Sequence, residues 1–436
     1  MRATVRIFVF VLASFPLFSL AAAQSPAAPA ASGDADLQFV VVLSRHGVRS
    51  PLTSQADLDK YSAAPWPKWE VAPGSQTAHG NQLIRIFGAW DRTRWSSEGL
   101  LSAAGCGDAA HVTIVADTDQ RTRETGKALA EGIFPGCDVA VHSQPEGTVD
   151  PLFRSPAAAG SHRDPALAVA AVEGRIGGDP KELTEVYRPQ LTVLDRVLAG
   201  CGKLPVNPQR TSIFDAPTTL KPGSSDAPVF SHTPLAMGST FAENLLLEYT
   251  QGMSGPGWGC LDGATLRYLM QLDTAAWEYS SRTPTISRMN AANLLDHIEK
   301  TMEQGASGQA VAGAVGEPGD KLVILVGHDS NISAVAGALR IDWVLDGRVD
   351  DTPPGGALLF ELWRPRDGGK PFVRLEYIAQ TLEQMRNSDA LTPTNPPDVA
   401  PIFVPGCSRQ DLTCTWEGFS AAARASIDPT YVDAQP

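Results

Sequence analysis

Hydrophobic residues fall into two textures along this chain. Leu37-Gln-Phe-Val-Val-Val-Leu-Ser44, His111-Val-Thr-Ile-Val-Ala-Asp117 and Lys321-Leu-Val-Ile-Leu-Val-Gly327 are nearly unbroken apolar runs of strand length. A run without polar alternation predicts a strand covered on both faces, as in a parallel sheet flanked by helices. Helical patterns follow the second and third runs, over residues 122–132 and 332–339. Between roughly 160 and 285 the texture changes to helical stretches at 182–199, 239–252 and 263–280, separated by Pro- and Gly-rich turns. Residues 303–320 read as a Gly/Ala-rich connector. Further strands are predicted at 357–363 and 372–377, after the turn Pro353-Pro354-Gly355-Gly356. The pattern predicts an α/β fold: a central, mostly parallel sheet flanked by helices over 35–159 and 286–436, with a mostly α-helical domain inserted over 160–285.

The N-terminus adds a compartment. Arg2 and Arg6 precede the apolar run Ile7 to Leu20, which leads into Ala21-Ala22-Ala23. This is the order of a secretory signal peptide over 1–23, and the apolar run falls short of the ~20 residues a spanning helix needs. Residues 24–34, rich in Ala, Pro, Ser and Gly, predict a flexible tether. The expected product is periplasmic or secreted, with no membrane attachment after cleavage.

Composition fits a globular protein, with 43% hydrophobic residues and 39 Gly and 34 Pro that follow no period. Lys and Arg number 35 against 48 Asp and Glu, a formal net charge of −13. A net field of that sign excludes nucleic acid as an expected partner, although an acidic protein still holds an anion where its arginines gather. An oxidising compartment permits disulfides among the six cysteines. Six cysteines allow fifteen pairings; proximity favours Cys407 with Cys414 and Cys106 with Cys137, leaving Cys201 with Cys260. Unpaired thiols or a zinc site are the alternatives, and the absence of a C-x2-C pair argues against zinc.

Each of the three buried runs ends in a reactive cluster: Arg45-His46-Gly47, Asp119-Gln120-Arg121-Thr122-Arg123 and His328-Asp329-Ser330-Asn331. In an open α/β sheet, ligands bind just outside those carboxyl ends. The most informative segment is Arg45-His46-Gly47-Val48-Arg49-Ser50-Pro51. Two guanidiniums beside an imidazole make a poor core, because both charges need partners. They suit a dianion, since arginine's forked donors match phosphate oxygens, and an imidazole in that fork is placed to attack phosphorus. Gly47 is expected to allow a tight turn and close approach to a bound group.

These seven residues resemble the R-H-G-x-R-x-P signature of the histidine acid phosphatases, the branch of the histidine phosphatase superfamily that includes bacterial periplasmic phytases and glucose-1-phosphatase. Gly327-His328-Asp329-Ser330-Asn331 resembles that family's H-D motif, and Asp119 to Arg123 its segment with a further phosphate-binding arginine. The similarity continues in order through Asp150-Pro-Leu-Phe153, Gly252-Met253, Pro256-Gly-Trp-Gly259 and Thr352-Pro-Pro-Gly-Gly356. The resemblance implies a phosphoglycerate mutase-like fold and hydrolysis of phosphomonoesters through a phosphohistidine, with no cofactor and no metal. It implies His46 as nucleophile, Asp329 as proton donor, and Arg45, Arg49, Arg121 and His328 as phosphate ligands. Glu243 lies where related phytases carry a glutamate near the pocket.

The residues alone leave plainer readings beside these. Asp329 equally suits an N-cap for a helix beginning near Ser330, Arg121 a solvated helix charge, and Glu243 a surface residue. Ser50-Pro51-Leu52-Thr53 departs from the enteric phytases, which carry Thr and Lys at the positions of Leu52 and Thr53. The lost lysine is a cation expected to attract the extra phosphates of inositol hexakisphosphate, whereas Leu52 and Ser330 resemble glucose-1-phosphatase. Leu52 and Thr53 therefore stand as expected substrate contacts. The expected function is a phytase-like or broad-specificity acid phosphatase acting on a small phosphate ester; the alternative is a glucose-1-phosphatase or other sugar-phosphate phosphatase. A non-catalytic periplasmic binder of phosphate esters is disfavoured, because it needs neither His46 nor Asp329. Serine hydrolases and P-loop enzymes are disfavoured by the missing G-x-S-x-G and G-x-x-x-x-G-K-[ST] patterns.

Overall fold

The computed structural model describes residues 34–154, 164–223 and 229–433. The segment expected to be a signal peptide, and all of the tether but Asp34, lie outside the described residues. Along the chain the strands are β1 (Ala35–Arg45), β2 (Val112–Ala116), β3 (Val141–His142), β4 (Thr219–Pro222), β5 (Val229–His232) and β6 (Leu322–Gly327). They continue with β7 (Val344–Leu345), β8 (Arg348–Val349), β9 (Ala357–Pro365), β10 (Phe372–Ala379), β11 (Asp398–Ile402) and β12 (Thr413–Thr415). The main sheet runs in the order β11-β10-β9-β1-β6-β2-β3, with β12 paired to β10. The chain thus has the α/β fold that its apolar runs predict. Neighbours in the group β1, β6, β2 and β3 are parallel, and the pairs beyond β1 on the other side are antiparallel.

The unbroken runs have a simple cause. In β1 the side chains of Phe39, Val41 and Leu43 enter one core, with helices Pro284–Ser307 and Asp329–Leu339. Those of Val40 and Val42 enter the opposite core, with helices Ala78–Ser97 and Gln120–Ile133. β6 divides in the same way, and all its residues are buried. With both faces covered, the sequence has no polar face to display.

A third core joins helices of residues 165–279 to Val48, Leu58, Trp66 and Leu83 from the segment after β1, and to Leu382 and Met385. The R-H-G-x-R loop therefore leaves the sheet and runs directly onto the helical layer. Asp329 and Arg45 lie on the sheet side of that junction and Glu243 on the helical side.

Two expected elements differ in detail, and one helix was not expected. The helical stretch 182–199 is two helices, Lys181–Val186 and Arg188–Leu198, broken at Tyr187. Pro189 in the first turn of the second helix has no N–H to continue the ladder. The connector expected from 303 begins later, since helix Pro284–Ser307 runs through to Gly308, whose φ of 67° ends it in the left-handed conformation. Helix Ala78–Ser97 escapes the periodicity altogether. Gly88 and Gly132 sit where it crosses helix Gln120–Ile133; a Cβ on them would lie 2.9 Å from Leu129 O and 2.5 Å from Arg85 O.

The cysteines pair as proximity suggested, Cys106–Cys137, Cys201–Cys260 and Cys407–Cys414, with Cα separations of 5.5, 6.1 and 5.1 Å. Among the described residues no helix is long and apolar enough to cross a membrane.

Candidate active site

β1 and β2 flank β6, and their registers finish together: Arg45 lies opposite Gly327, and Ala116 opposite Val326. His46 N then donates to Gly327 O at 3.1 Å and Asp117 N to Val326 O at 3.0 Å, so three reactive loops leave the sheet at one edge. They open on a cleft of about 250 Å³ whose walls include His46, Arg49, Leu52, Arg121, His328 and Asp329. Arg45 lies behind this wall, buried, with a carboxylate on either side. Its guanidinium is 2.6 Å from Glu243 Oε1 and 2.8 Å from Asp329 Oδ2. Arg49 reaches the same Glu243 oxygen at 2.8 Å, so one carboxylate spaces two guanidiniums. Among the described residues, the Nε groups of Arg45, Arg49 and Arg121 are buried without a hydrogen-bond partner. The cluster therefore has donor capacity that the protein does not use.

His46 is fixed through its loop. Its Nδ1 lies 2.9 Å from Gly47 O, and a carbonyl only accepts, so Nδ1 carries the proton and Nε2 keeps its lone pair. Gly47 N donates to Thr125 Oγ1 at 2.9 Å and to Gln76 Oε1 at 3.2 Å. Gly47 is outside the left-handed region, contrary to the tight turn expected of it. What requires glycine is space, because a Cβ there would lie 2.9 Å from Ile84 Cγ1 and 3.2 Å from Gln76. Burial, reinforced by Arg45, Arg49, His328 and Arg121, holds the His46 imidazole well below the usual histidine range.

His328 faces His46 edge-on, with ring centroids 5.5 Å apart. Its Nε2 donates to Asp117 Oδ2 at 2.7 Å, leaving Nδ1 on the side of the Arg121 guanidinium at 3.5 Å. Burial alone raises the Asp117 carboxyl, but the hydrogen bond and charge of His328 overcome it and bring the group to about 2. Asp119 Oδ2 holds Arg121 at 2.8 Å and Arg154 at 2.6 Å, and Arg154 also reaches Asp117 at 3.1 Å. Burial pushes the Arg121 guanidinium down from its usual range.

Asp329 is the first residue of helix Asp329–Leu339, whose N-cap is His328. The capping role that its residue type allows is thus taken by its neighbour. Asp329 Oδ1 accepts from Ser330 N at 2.8 Å, and Oδ2 faces Arg45. Burial works to raise this carboxyl, yet Arg45 and Arg49 outweigh it and the net shift is downward. Arg45 moves the other way: burial works to lower it, and Asp329 and Glu243 reverse the direction.

The structure thus brings together His46, Arg45, Arg49, Arg121, His328, Asp329 and Glu243. Leu52 lies on the cleft wall with 59% of its surface exposed; Thr53 is not one of the lining residues. Four groups carry no expected role in the sequence reading: Asp117 and Asp119, which orient His328 and Arg121, Arg154, and Asn290 on the cleft wall. Asp117, at the carboxyl end of a buried strand, had a signal in its position; Asn290, on a buried helix, had none. Asp117, Asp119 and His328 also place ligand atoms within 4.8 Å of one another. A cation there would have to displace Arg121 and Arg154.

Comparison with known proteins places this geometry in a family context. A family model described as histidine phosphatase superfamily (branch 2) matches residues 36–162 and 257–377. The chain is 34% identical over 417 residues to Phytase AppA of Escherichia coli (strain K12), covering 93% of this chain and 96% of the relative. It is 29% identical over 382 residues to a glucose-1-phosphatase of Salmonella typhimurium, covering 85% and 87%. A solved structure of Hafnia alvei phytase in complex with myo-inositol hexakis sulphate matches with a TM-score of 0.83 at 35% identity, covering 93% of this chain and all of that one.

Proposed function

Since the chain belongs to branch 2 of the histidine phosphatase superfamily and is a phosphoric monoester hydrolase of phytase-like type, we propose how its own residues carry the reaction. Arg45, Arg49, Arg121 and His328 bind the phosphoryl oxygens. His46 Nε2 attacks phosphorus; the ester P–O bond breaks as the P–N bond forms, and Asp329 gives its proton to the leaving oxygen. Asp329 then takes a proton from water, whose oxygen attacks the phosphohistidine and releases phosphate and neutral His46. Positioning and charge neutralisation do most of the catalytic work in phosphoryl transfer.

The observation that supports this reading most is the state of His46. Its Nδ1 proton is committed to Gly47 O, and burial together with three guanidiniums disfavours a second proton, which favours Nε2 as the nitrogen with a free lone pair. An ordinary histidine is half protonated near pH 6.5 and would lose its nucleophilicity below it.

The charge count sets the pH dependence. The four guanidiniums of Arg45, Arg49, Arg121 and Arg154 are matched by the four carboxylates of Glu243, Asp329, Asp119 and Asp117, with His328 held against Asp117 in addition. A dianion entering this set draws the guanidiniums away from Asp329 and adds negative charge beside it. Both effects raise the Asp329 carboxyl, so substrate binding takes up the proton that the leaving group needs. For glycerol 2-phosphate, whose basic leaving oxygen needs that proton, kcat/KM is expected to rise as pH falls from 7.5 toward 5, with no acidic limb near 6.5. A tenfold loss per unit below 6.5 would show that His46 titrates normally and sink the assignment.

Substrate preference is proposed as phytate-like, with broad acceptance of smaller esters. Arg49, Arg121 and Arg154 line the cleft and give a polyphosphate several cations to approach, whereas Leu52 offers none. In a panel of phytate, glucose-1-phosphate and p-nitrophenyl phosphate, all three should be hydrolysed, with kcat/KM higher on phytate than on glucose-1-phosphate. EDTA should change each rate by less than about twofold, because guanidiniums neutralise the charge. The reverse ranking favours the sugar-phosphate reading. Export is proposed from the segment Arg2 to Ala23, and the three disulfides are consistent with an oxidising compartment.

A further inference from the structure

A separate cavity of about 170 Å³ lies in the helical layer, lined mainly by apolar side chains including Val172, Ile176, Leu183, Leu220 and Leu235. Its position relative to the phosphate site follows from two helices. On helix Pro234–Thr250, Ser239 lines this cavity, and Glu243, one turn onward, pairs with Arg45 and Arg49. On helix Gly263–Tyr279, Asp273 and Trp277 are likewise four residues apart, and residues at that spacing share a helix face. Ser239 Oγ donates to Asp273 Oδ1 at 2.7 Å and ties the two faces together. Trp277 lines both the apolar cavity and the phosphate cleft. The two spaces therefore share Trp277 as a wall, and the Ser239 side of the cavity lies about one helical turn, some ~5 Å along the axis, from the Glu243 position whose carboxylate pairs with Arg45 and Arg49.

We propose that this cavity is a subsite for the aromatic ring of an arylalkyl phosphomonoester, a ring joined to the ester oxygen by a short carbon chain. The inference rests on the phosphate clamp proposed above and extends it to the organic half of the substrate. Size agrees, since an apolar cavity of about 150 Å³ accepts benzene. The offset agrees as well: a ring bonded directly to the ester oxygen stays in the cleft, whereas two intervening carbons span a helical turn. The cavity's polar lining residues are hydroxyl-bearing (Ser231, Thr233, Ser239, Ser280 and Tyr279) apart from the Trp277 indole, and none of its lining residues carries a charge. It therefore suits a neutral ring and not a second phosphate.

The test compares 2-phenylethyl phosphate with ethyl phosphate, whose leaving alcohols have similar basicity, so chemistry cancels from the ratio. In the unmodified enzyme kcat/KM should favour the phenylethyl ester about tenfold or more, the discrimination a hydrophobic pocket gives for added apolar groups. Ala236→Phe projects a ring into the cavity from one wall and should bring the ratio near one. If that variant fails to fold, Ala276→Leu enters from the facing helix and gives the same readout. Binding of 2-phenylethanol to the unmodified enzyme, followed by ligand-observed NMR, needs no turnover and should be saturable and weakened by Ala236→Phe. A ratio near one in the unmodified enzyme, or a ratio untouched by both variants, overturns the subsite while leaving the phosphatase reading intact. Loss of turnover on both esters with 2-phenylethanol still bound overturns the clamp assignment instead.

Discussion

His46→Ala is expected to lower kcat on p-nitrophenyl phosphate by at least ~10⁴-fold, the scale on which loss of an attacking nucleophile is felt. The variant keeps Arg45, Arg49 and Arg121, whose partners are Glu243, Asp329 and Asp119 and not the imidazole. Phosphate or a substrate analogue should therefore still bind within about tenfold, so the loss appears in kcat and not in KM. A circular dichroism spectrum and a melting temperature close to those of the parent separate this outcome from unfolding. Near-parental turnover with retained structure would mean that water, or another group, attacks phosphorus directly.

Asp329→Asn is expected to produce a loss that depends on the leaving group. Amide cannot donate the proton, and general acid catalysis contributes ~10²–10⁴-fold where the departing oxygen is basic. Glycerol 2-phosphate should lose turnover in that range. With p-nitrophenyl phosphate the departing phenolate needs little help, so the first step survives and the second, which needs Asp329 as base, becomes limiting. A burst of nitrophenol followed by a slow steady state is the expected signature. Equal losses on both substrates without a burst would assign Asp329 to holding Arg45, to which it is bound at 2.8 Å, and not to proton transfer.

Much of the fold was legible because β1 and β6 are covered on both faces, which leaves unbroken apolar runs. The motifs were legible because a parallel sheet delivers Arg45, Ala116 and Gly327 to one edge in register, and residues that follow such strands advertise themselves by position. Helix Ala78–Ser97 was not legible: Gly80 allows close approach to the Val48 backbone and Gly88 a close helix crossing, and they break the pattern that marks a helix. Helix Pro284–Ser307 buries Asn293, His297, Glu299 and Thr301 along with its apolar residues, so no polar face alternates with an apolar one.

Glu243 shows the same limit within the site. It lies 198 residues from Arg45 in the chain, and a helical glutamate has no local feature that distinguishes a surface charge from a spacer between two guanidiniums. Asp117, Asp119 and Arg154 form another network closed only by folding. Asp117 and Asp119 share the loop after β2; Arg154 comes from the segment after Asp150-Pro-Leu-Phe153.

Rapid acid-free quenching during turnover of radiolabelled p-nitrophenyl phosphate, with peptide mapping of the labelled protein, follows the PO3 group itself. Label stable in base, lost in acid and confined to the peptide bearing His46 is the predicted result, absent from His46→Ala and enriched in Asp329→Asn. Turnover of the parent enzyme with no trapped label in either background, or label on a different side chain, contradicts an imidazole that accepts phosphorus.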